Sequence, residues 1–266
     1  MSIKIVLTIG GSDSCAGAGI QADLKTFMSL NVYGCSVLTC VTSQNTTGVN
    51  RVDPLSPDCV GSQINAITKD CSVSALKTGM LLNRDIIERV AFELNQIDIP
   101  KLIDPVMVSR AGSVLLEEDA IDAYRELLFP QSALITPNIF EANLLSGMEI
   151  KLSKDFEKSA NILISHGANA VLIKGGGLEE FKGQDFYLDS KGTSCWLKHK
   201  KIKTKNTHGS GCTLIAAITA YRALNFNIFD STIKAKAFVE KAINNSFSIG
   251  KGPGTLCHMK NNLEEH

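Results

Sequence analysis

The pattern of hydrophobic and polar positions alternates between two kinds of segment along most of the chain. Short runs rich in Val, Ile and Leu predict buried strands, and longer stretches with apolar residues three and four positions apart predict amphipathic helices. The predicted strands cover residues 3–9, 35–42, 73–77, 101–103, 133–136 and 170–173. The predicted helices cover residues 20–30, 83–96, 117–128, a segment around Glu141, 153–166, 209–223 and 229–246.

Two further segments, 185–188 and 194–198, predict an antiparallel hairpin late in the chain. Elsewhere strands and helices alternate, which is typical of an α/β fold with a mostly parallel sheet. The sequence contains no internal repeat, low-complexity tract or clear linker, so we expect one domain over residues 1–266.

The first predicted strand runs into a loop of small residues, 10–19, and a helix follows the loop. A strand, a glycine-rich loop and a helix in this order open a doubly wound sheet, in which ligands bind near the carboxyl ends of strands. The loop has neither G-x-G-x-x-G nor Walker A spacing, so neither a dinucleotide site nor a P-loop is indicated.

The composition allows a full hydrophobic core and gives no sign of a polyanionic partner. The 266 residues are 44% hydrophobic and 20% charged, and Lys plus Arg equals Asp plus Glu at 27 each. This balance argues against nucleic acid as the main partner. We find no membrane-spanning run and no targeting segment. The eight cysteines include no C-x-x-C pair and no zinc-ligand spacing, so we expect reduced thiols in the cytoplasm.

A second glycine turn lies in the run Lys205-Asn206-Thr207-His208-Gly209-Ser210-Gly211-Cys212-Thr213. The first N–H groups of the helix predicted after it lack internal partners, and the turn lets them converge on an anion such as phosphate. Cys212 falls near the first turn of this helix, whose dipole is expected to lower the thiol pKa below ~8.5. Such a thiolate could take the proton of a hydroxyl that receives phosphate. The alternative is a structural turn with a buried Cys212.

Polar side chains also follow several predicted strands, and parallel strands bring their carboxyl ends to one rim. Asp104 and Glu141 could hold Mg²⁺ against phosphates, and Lys174 offers a positive charge. The other candidates near this rim are Gly11, Asp23, Gln44, Met80 and Asn138. Each has a structural alternative, and Asn138 with Glu141 has the spacing of a helix capping box. Together with the glycine turn, the set favours ATP-dependent phosphoryl transfer.

These residues belong to motifs that cover nearly the whole chain. In order they are Gly11-Ser12-Asp13 with 17–27, Gln44-Asn45-Thr46, 77–81, Asp104-Pro105-Val106-Met107-Val108, Thr136-Pro137-Asn138 with Glu141-Ala142, Lys174-Gly175-Gly176, and 206–213. In this set and order the chain resembles the ribokinase superfamily, and within it the hydroxymethylpyrimidine/phosphomethylpyrimidine kinases of thiamin biosynthesis. The resemblance implies a three-layer α/β/α sandwich with a mostly parallel central sheet.

The resemblance also implies a role for each matching residue. Cys212 stands where the wider superfamily usually carries an Asp base, and Gly209 and Gly211 would line the anion hole. Lys174 and Ser210 would bind the ATP phosphates, and Asn138, Glu141 and Asp104 would bind Mg²⁺ and phosphate. Gln44 would hydrogen-bond the aminopyrimidine ring, and Asp23 its hydroxymethyl group. Gly11 and Met80 would form the walls around the ring.

In this family, ATP phosphorylates 4-amino-5-hydroxymethyl-2-methylpyrimidine to a monophosphate and then to a diphosphate. We expect Cys212 to matter more in the first step, because only an alcohol acceptor must lose a proton. Family members are often homodimers. The sequence departs from the family at Ala16, where Gly is usual and less restricted, and at Ser210, where Thr is usual.

The nearest alternative is a pyridoxal kinase of the same Cys-containing branch. The Gln44-Asn45-Thr46 motif favours the pyrimidine kinase, because an amide pairs with both a donor and an acceptor on an aminopyrimidine. A nicotinamide-dependent oxidoreductase is disfavoured by the missing G-x-G-x-x-G motif. A non-catalytic pyrimidine-binding regulator is disfavoured because no proposed catalytic residue is lost.

Overall fold

The computed structural model describes residues 3–107 and 118–259. Its strands are β1 (Ile5–Asp13), β2 (Tyr33–Asn45), β3 (Gly48–Pro54), β4 (Val73–Thr78), β5 (Lys101–Ile103), β6 (Leu134–Ile135), β7 (Ala170–Lys174), β8 (Gln184–Asp189) and β9 (Ser194–Lys198). Its helices are α1 (Gly19–Ser29), α2 (Pro57–Thr68), α3 (Arg84–Leu94), α4 (Glu118–Ala123), α5 (Ile139–Ser146), α6 (Ser153–Ser165), α7 (Ser210–Ala223) and α8 (Ile228–Asn244). A π-helical turn, Tyr124–Leu128, continues α4.

The strands of the described residues form one mixed sheet in the order β3-β2-β1-β4-β5-β6-β7-β8-β9. The strands from β2 to β7 in this order run parallel, whereas β3, β8 and β9 each pair antiparallel with a neighbour. The chain leaves β1 for β2 on one side and returns to β4 on the other. The winding direction therefore reverses between β1 and β4, and ligands of doubly wound sheets bind at such a reversal.

Alternate residues of the central strands face two different helical layers. On β1, Leu7 and Ile9 join a buried cluster with residues of α2, α3, α5 and α6. Val6 points the other way and packs with Phe27 of α1 and Ala216 of α7. On β7 the same alternation separates the layer of α6 from that of α7 and α8. The result is the expected three-layer α/β/α sandwich with a mostly parallel sheet.

The sequence pattern and the structure differ most between β2 and β4. Strand β2 continues past its predicted end at residue 42, because its last residues pair with β3. Neither β3 nor α2 is predicted from the pattern. The start of α2 does carry a signal, since Ser56 caps it by accepting the N–H of Cys59 at 3.2 Å and Pro57 follows at the first helical position.

The other predicted elements match closely. The hairpin predicted over 185–188 and 194–198 is confirmed as β8 and β9. The helix predicted over 117–128 corresponds to α4 and its π-helical turn, and residue 117 lies outside the described residues, as does Val108 of the Asp104 motif. Among the described helices, none is both long and apolar enough to span a membrane.

Candidate active site

Three groups of residues meet at the carboxyl ends of the parallel strands. The first is the β1–α1 loop, residues 14–18. The second is the anion turn, residues 206–211, which leads into α7. The third is the acid–lysine cluster: Asp104 follows β5, Glu141 lies in α5 after β6, and Lys174 is the last residue of β7. All three come from the rim that the sequence analysis indicates.

Asp13, the last residue of β1, organises the β1–α1 loop. Its carboxylate accepts hydrogen bonds from the N–H groups of Cys15, Gly17 and Ala18 at 2.8 to 3.1 Å. The imidazole Nε2 of His208 lies 2.9 Å from its Oδ2. Burial alone would raise the pKa of Asp13, but the hydrogen bonds from His208 and the backbone outweigh burial and lower it. Asp13 is therefore ionised at neutral pH.

Ala16 takes up a strained conformation at the tip of the β1–α1 loop. Its φ is +60°, in the left-handed region where a Cβ atom costs roughly 1–2 kcal/mol. Its N–H donates to the carbonyl of Asp13 at 2.8 Å, which closes the turn. Ala16 thus holds a backbone conformation that Gly adopts more easily, and restriction of the loop's motion stays a prediction.

The anion turn packs directly on the β1–α1 loop. Gly209 has φ +81° and precedes the first residue of α7, and a Cβ on it would overlap the carbonyl oxygen of Gly17. A Cβ on Gly17 would in turn overlap the imidazole of His208. Ser210 is half-buried and begins α7, with its N–H 3.2 Å from the carbonyl of Thr207. Loop and turn are therefore interlocked through glycines that cannot carry side chains.

Lys174 connects the acid–lysine cluster to the anion turn. Its ammonium donates to Asp104 Oδ1 at 2.8 Å, and the hydroxyl of Thr136 donates to the same oxygen at 3.0 Å. A Cβ on Gly211 would stand 3.4 Å from the same ammonium. Burial alone would lower the pKa of Lys174, but Asp104 and Glu141 outweigh burial and raise it. A permanent positive charge therefore lies beside the anion turn.

Glu141 forms a capping box with Asn138 at the start of α5. Glu141 accepts the N–H of Asn138 at 2.7 Å, and Asn138 accepts the N–H of Glu141 at 2.9 Å. The capping box that the sequence analysis gives as the structural alternative for Asn138 and Glu141 is therefore present. Burial raises the pKa of Glu141 to about 7, with Lys174 opposing the shift and Asp104 adding to it. The capping box therefore holds a buried carboxyl group that binds its proton more tightly than an ordinary glutamate does.

Lys77, on β4, belongs to the site although sequence reasoning did not assign it a role. Its ammonium lies 2.8 Å from Asp23 Oδ2, which also accepts the hydroxyl of Thr8 at 2.7 Å. Within the described residues, the buried Oδ1 of Asp23 has no hydrogen-bond partner. Burial raises the pKa of Asp23, while Lys77 opposes this shift. The available signal was a lysine directly after the apolar pair Ala75-Leu76 of a predicted strand, since lysines are almost never fully buried unless paired.

Cys212 lies in the first turn of α7, as predicted, but the expected direction of its pKa shift is wrong. Burial raises the pKa of the thiol to about 11, and the Asp23 carboxylate adds to this shift. Lys77 and a hydrogen bond from the N–H of Gly19 act in the opposite direction. Burial and the neighbouring carboxylates therefore decide the direction of the shift.

The residues expected around a ring lie at the ends of β1, β2 and β4. A Cβ on Gly11 would stand 2.7 Å from Met80 Cε and 2.9 Å from Cys40 Sγ, so these three residues adjoin. Gln44 is half-buried near the end of β2. Its N–H donates to Ser14 Oγ at 2.8 Å, and its carbonyl accepts the same hydroxyl at 2.7 Å. The β1–α1 loop thus holds the backbone of Gln44.

The acid–lysine cluster fits Mg²⁺ as an ion that arrives with phosphates. Among the residues that the structure describes, no three His, Cys, Asp or Glu side chains are grouped to hold a metal ion by themselves. Mg²⁺ typically takes one or two carboxylates and completes its shell with waters and substrate phosphates. Asp104 and Glu141, each 2% exposed, are such carboxylates.

A doubly wound sheet with an anion turn at a helix N-terminus, a lysine beside it and two buried carboxylates defines a phosphotransferase of the ribokinase-like α/β fold. A family model described as phosphomethylpyrimidine kinase matches residues 13–257. The chain belongs to the phosphomethylpyrimidine kinase family.

Relatives of that name match nearly the whole chain, and a solved pyridoxal kinase structure is similar in fold. The hydroxymethylpyrimidine/phosphomethylpyrimidine kinase of Synechococcus elongatus is 48% identical over 97% of this chain and 98% of its own length. The enzyme of the same name from Bacillus subtilis is 44% identical, over 97% and 96% of the two chains. The structure of the pyridoxal kinase from Staphylococcus aureus in complex with AMP-PCP and pyridoxal has a TM-score of 0.89 at 36% identity, covering 100% of this chain and 97% of that one.

Proposed function

We propose that this protein uses ATP to phosphorylate 4-amino-5-hydroxymethyl-2-methylpyrimidine to its monophosphate and then to its diphosphate, as in thiamin biosynthesis. The observation that carries the proposal is the position of Lys174, with its ammonium 2.8 Å from Asp104 and beside Gly211. A fixed cation next to converging N–H groups suits a phosphoryl group in transfer. The names of the relatives from Synechococcus elongatus and Bacillus subtilis support the choice of acceptor.

On the phosphate side, the N–H groups at the start of α7 bind the transferring phosphoryl group. Gly209 and Gly211 let the backbone approach it closely, and Lys174 supplies charge to the ATP phosphates together with the Ser210 hydroxyl. Preorganised donors of this kind stabilise charge that develops in the transition state.

Mg²⁺ supplied with ATP would neutralise part of the phosphate charge. Asp104 and Glu141 would hold it through waters, and Asn138 orients Glu141 by the capping box. Because the pKa of Glu141 is about 7, a nearby cation favours its ionised form.

On the acceptor side, Gln44 pairs with the aminopyrimidine edge, and Gly11 and Met80 form the walls for the ring. Asp23 accepts a hydrogen bond from the hydroxymethyl group through Oδ1, the oxygen for which the described residues provide no partner. Lys77 and Thr8 hold the other oxygen, so the carboxylate is already oriented.

Cys212 is the candidate base for the first phosphorylation. The acceptor hydroxyl gives its proton to the sulfur as its oxygen bonds to the γ-phosphorus, and the bond from that phosphorus to the bridging oxygen of ADP breaks. Because the thiol pKa is about 11, the reactive thiolate depends on Lys77 and the N–H of Gly19. The second acceptor is a phosphate, which needs no comparable proton removal.

The test is to incubate the protein with Mg·ATP and hydroxymethylpyrimidine, with pyridoxal in a parallel reaction, and to identify products by mass spectrometry. We expect monophosphate followed by diphosphate. Lys174→Met should lose activity by about 100-fold or more, because it removes a transition-state charge. Lys200→Met, at an exposed lysine, is the matched control and should retain activity. No phosphorylated pyrimidine from the wild-type protein would contradict the proposal.

Pyridoxal phosphorylation is the second candidate function. The similarity to the Staphylococcus aureus pyridoxal kinase, at TM-score 0.89 over the full chain, favours it. Pyridoxal presents a phenol and an aldehyde in place of an amino group, so Gln44 matches it less well. Pyridoxal phosphate as the sole product would select this second function.

We also propose that the protein works as a homodimer, as the resemblance to its family implies. Val41 on the β2–β3 hairpin is an exposed apolar side chain at 44%, so it is the position chosen for the test. Light scattering should give twice the chain mass of 28.7 kDa, and Val41→Glu should shift the mass toward that of one chain. A wild-type monomer would contradict the dimer.

A further inference from the structure

Asp13 contacts His208, and His208 contacts Gln44. Elementary chemistry decides which of the contacting atoms carry hydrogens. His208 Nε2 lies 2.9 Å from Asp13 Oδ2 and 3.3 Å from Gln44 Nε2. Asp13 is ionised and can only accept hydrogen bonds. His208 Nε2 must therefore carry a proton and donate it to Asp13, which leaves this nitrogen with no lone pair to offer.

An amide nitrogen of Gln44 next to this N–H would place two donors against each other. The other end of the amide has the opposite problem. Thr42 Oγ1 lies 3.4 Å from Gln44 Oε1, but the single hydroxyl proton of Thr42 is directed to the carbonyl of Ser12 at 2.8 Å. Two acceptors then face each other. Oxygen and nitrogen of a carboxamide have nearly the same shape, so its orientation is decided by its hydrogen bonds.

Exchanging the two amide atoms satisfies both ends. The oxygen of Gln44 then shares the N–H of His208 with Asp13, and the NH₂ group donates to a lone pair of Thr42 Oγ1. We propose that Asp13 and His208 fix the Gln44 carboxamide in this orientation, which makes His208 a positioning residue that determines the choice of ring. The inference rests on the proposed function, because it concerns the group that reads the substrate ring.

The backbone of Gln44 is fixed, so only its side chain remains to be oriented. Ser14 Oγ bonds both the N–H and the carbonyl of Gln44, at 2.8 and 2.7 Å. His208 is itself held, since its side chain is 11% exposed and its backbone N–H donates to the carbonyl of Gly254 at 3.1 Å. The imidazole also fills the space that a Cβ on Gly17 would need. The donor on His208 is therefore a fixed reference for a rotatable amide.

The orientation of the Gln44 carboxamide matters because it decides which of its hydrogen-bonding groups remain free for the substrate. One N–H and one carbonyl lone pair of Gln44 remain after His208 and Thr42 are bonded. An aminopyrimidine edge offers one donor, its amino group, and one acceptor, the adjacent ring nitrogen. A reversed amide would present the same pair in reversed order, and pyridoxal offers a phenol and an aldehyde at a different spacing in place of the amino group and the adjacent ring nitrogen. A polar site rejects a ligand that leaves its buried groups unpaired.

The test uses His208→Phe, which keeps a ring beside Gly17 and removes the N–H. The measurements are kcat/KM for hydroxymethylpyrimidine and for pyridoxal, each at saturating Mg·ATP. We expect the pyrimidine-to-pyridoxal ratio to fall by about tenfold, the effect of one lost buried hydrogen bond. Thr42→Val removes the partner at the other end of the amide and should lower the ratio in the same direction, which also provides a readout if His208→Phe does not fold.

The same measurement in a Gln44→Ala background separates positioning from a general structural effect. There, adding His208→Phe should leave the ratio unchanged, because the amide it orients is gone. An unchanged ratio in both His208→Phe and Thr42→Val, or an equal fall with and without Gln44, overturns the inference while pyrimidine turnover by the wild-type protein stands. Turnover of neither ring by the wild-type protein overturns the proposed function and the inference together.

Discussion

The ammonium of Lys77 lies 2.8 Å from the carboxylate of Asp23, and each side chain is only 1% exposed. Removing one partner leaves the other charge buried and unpaired. Lys77→Met is therefore expected to lower the free energy of unfolding by about 3–5 kcal/mol, measured by urea denaturation at pH 7. Replacing both partners, by Lys77→Met with Asp23→Leu, should recover part of this loss. A double variant less stable than Lys77→Met alone would contradict the buried-pair interpretation.

Alkylation of Cys212 is expected to be slow near neutral pH, because its pKa is about 11 and only the thiolate reacts. Its rate with iodoacetamide should increase about tenfold per pH unit up to the pKa. Mass spectrometry of the labelled peptides measures this, with the exposed Cys59 as internal reference. Cys212 labelled as fast as Cys59 at pH 8 would be the contrary result.

The same pKa shift predicts a pH dependence of stability. The folded protein retains the Cys212 proton above the ordinary value of 9.0, so it binds more protons than the unfolded chain up to a pH of about 11. This contribution to the free energy of unfolding is therefore fully present below pH 9 and is lost as the pH rises toward 11. Cys212→Ala should lack it, and denaturation of both proteins between pH 8 and 11 makes the comparison.

The two phosphorylations should depend differently on Cys212. General base catalysis contributes about 10²–10⁴-fold, so Cys212→Ala is expected to slow the first step by about 100-fold or more and the second by far less. Single-turnover rates with the free pyrimidine and with its monophosphate measure the two steps separately. Equal losses would assign Cys212 to positioning rather than to proton transfer.

Gly209→Ala tests the contact between the anion turn and the β1–α1 loop. The new Cβ would strain a backbone at φ +81° and also overlap the carbonyl of Gly17. Gly192→Ala is the matched control, because its φ is +89° and nothing lies within 4 Å of its Cβ position. The control should lose roughly 1–2 kcal/mol of stability and little activity. Gly209→Ala should lose more of both, and equal effects of the two variants would argue against the contact.

Ala16→Gly removes a Cβ from the left-handed region, where φ is +60°. The gain of roughly 1–2 kcal/mol is offset by the greater freedom that Gly gives the unfolded chain, roughly 0.5–1 kcal/mol. We expect a small net increase in the free energy of unfolding, measured by urea denaturation. A clear decrease would show that the loop is not strained at this position.

Much of the fold follows from local sequence pattern. The apolar runs of β1, β4 and β7 and the helices between them are visible because buried strands and amphipathic helices differ in period. Strand β3 (Gly48–Pro54) is different, because none of its residues is buried and its valines, Val49 and Val52, lie three positions apart and show no strand alternation. Its strand state comes from pairing with β2, and a single-sequence pattern contains no information about such a partner.

Some residues of the candidate site can also be predicted from the sequence, whereas others cannot. Residues at strand ends, such as Asp104 and Lys174, can be placed from the order of elements alone. Lys77 could not, because its burial depends on Asp23, which lies 54 positions away. The pKa direction of Cys212 was wrong because helix position is visible in a sequence, whereas burial and neighbouring carboxylates are not. His208 adjoins a motif that is easily seen, yet its partner Asp13 is 195 positions distant.

The contact between Gly17 and Gly209 also limits how this enzyme can diverge. A side chain on either residue meets backbone or a fixed imidazole, so neither segment can change shape unless the other changes with it. Two substitutions far apart in the gene would have to arise together, and each alone would be harmful.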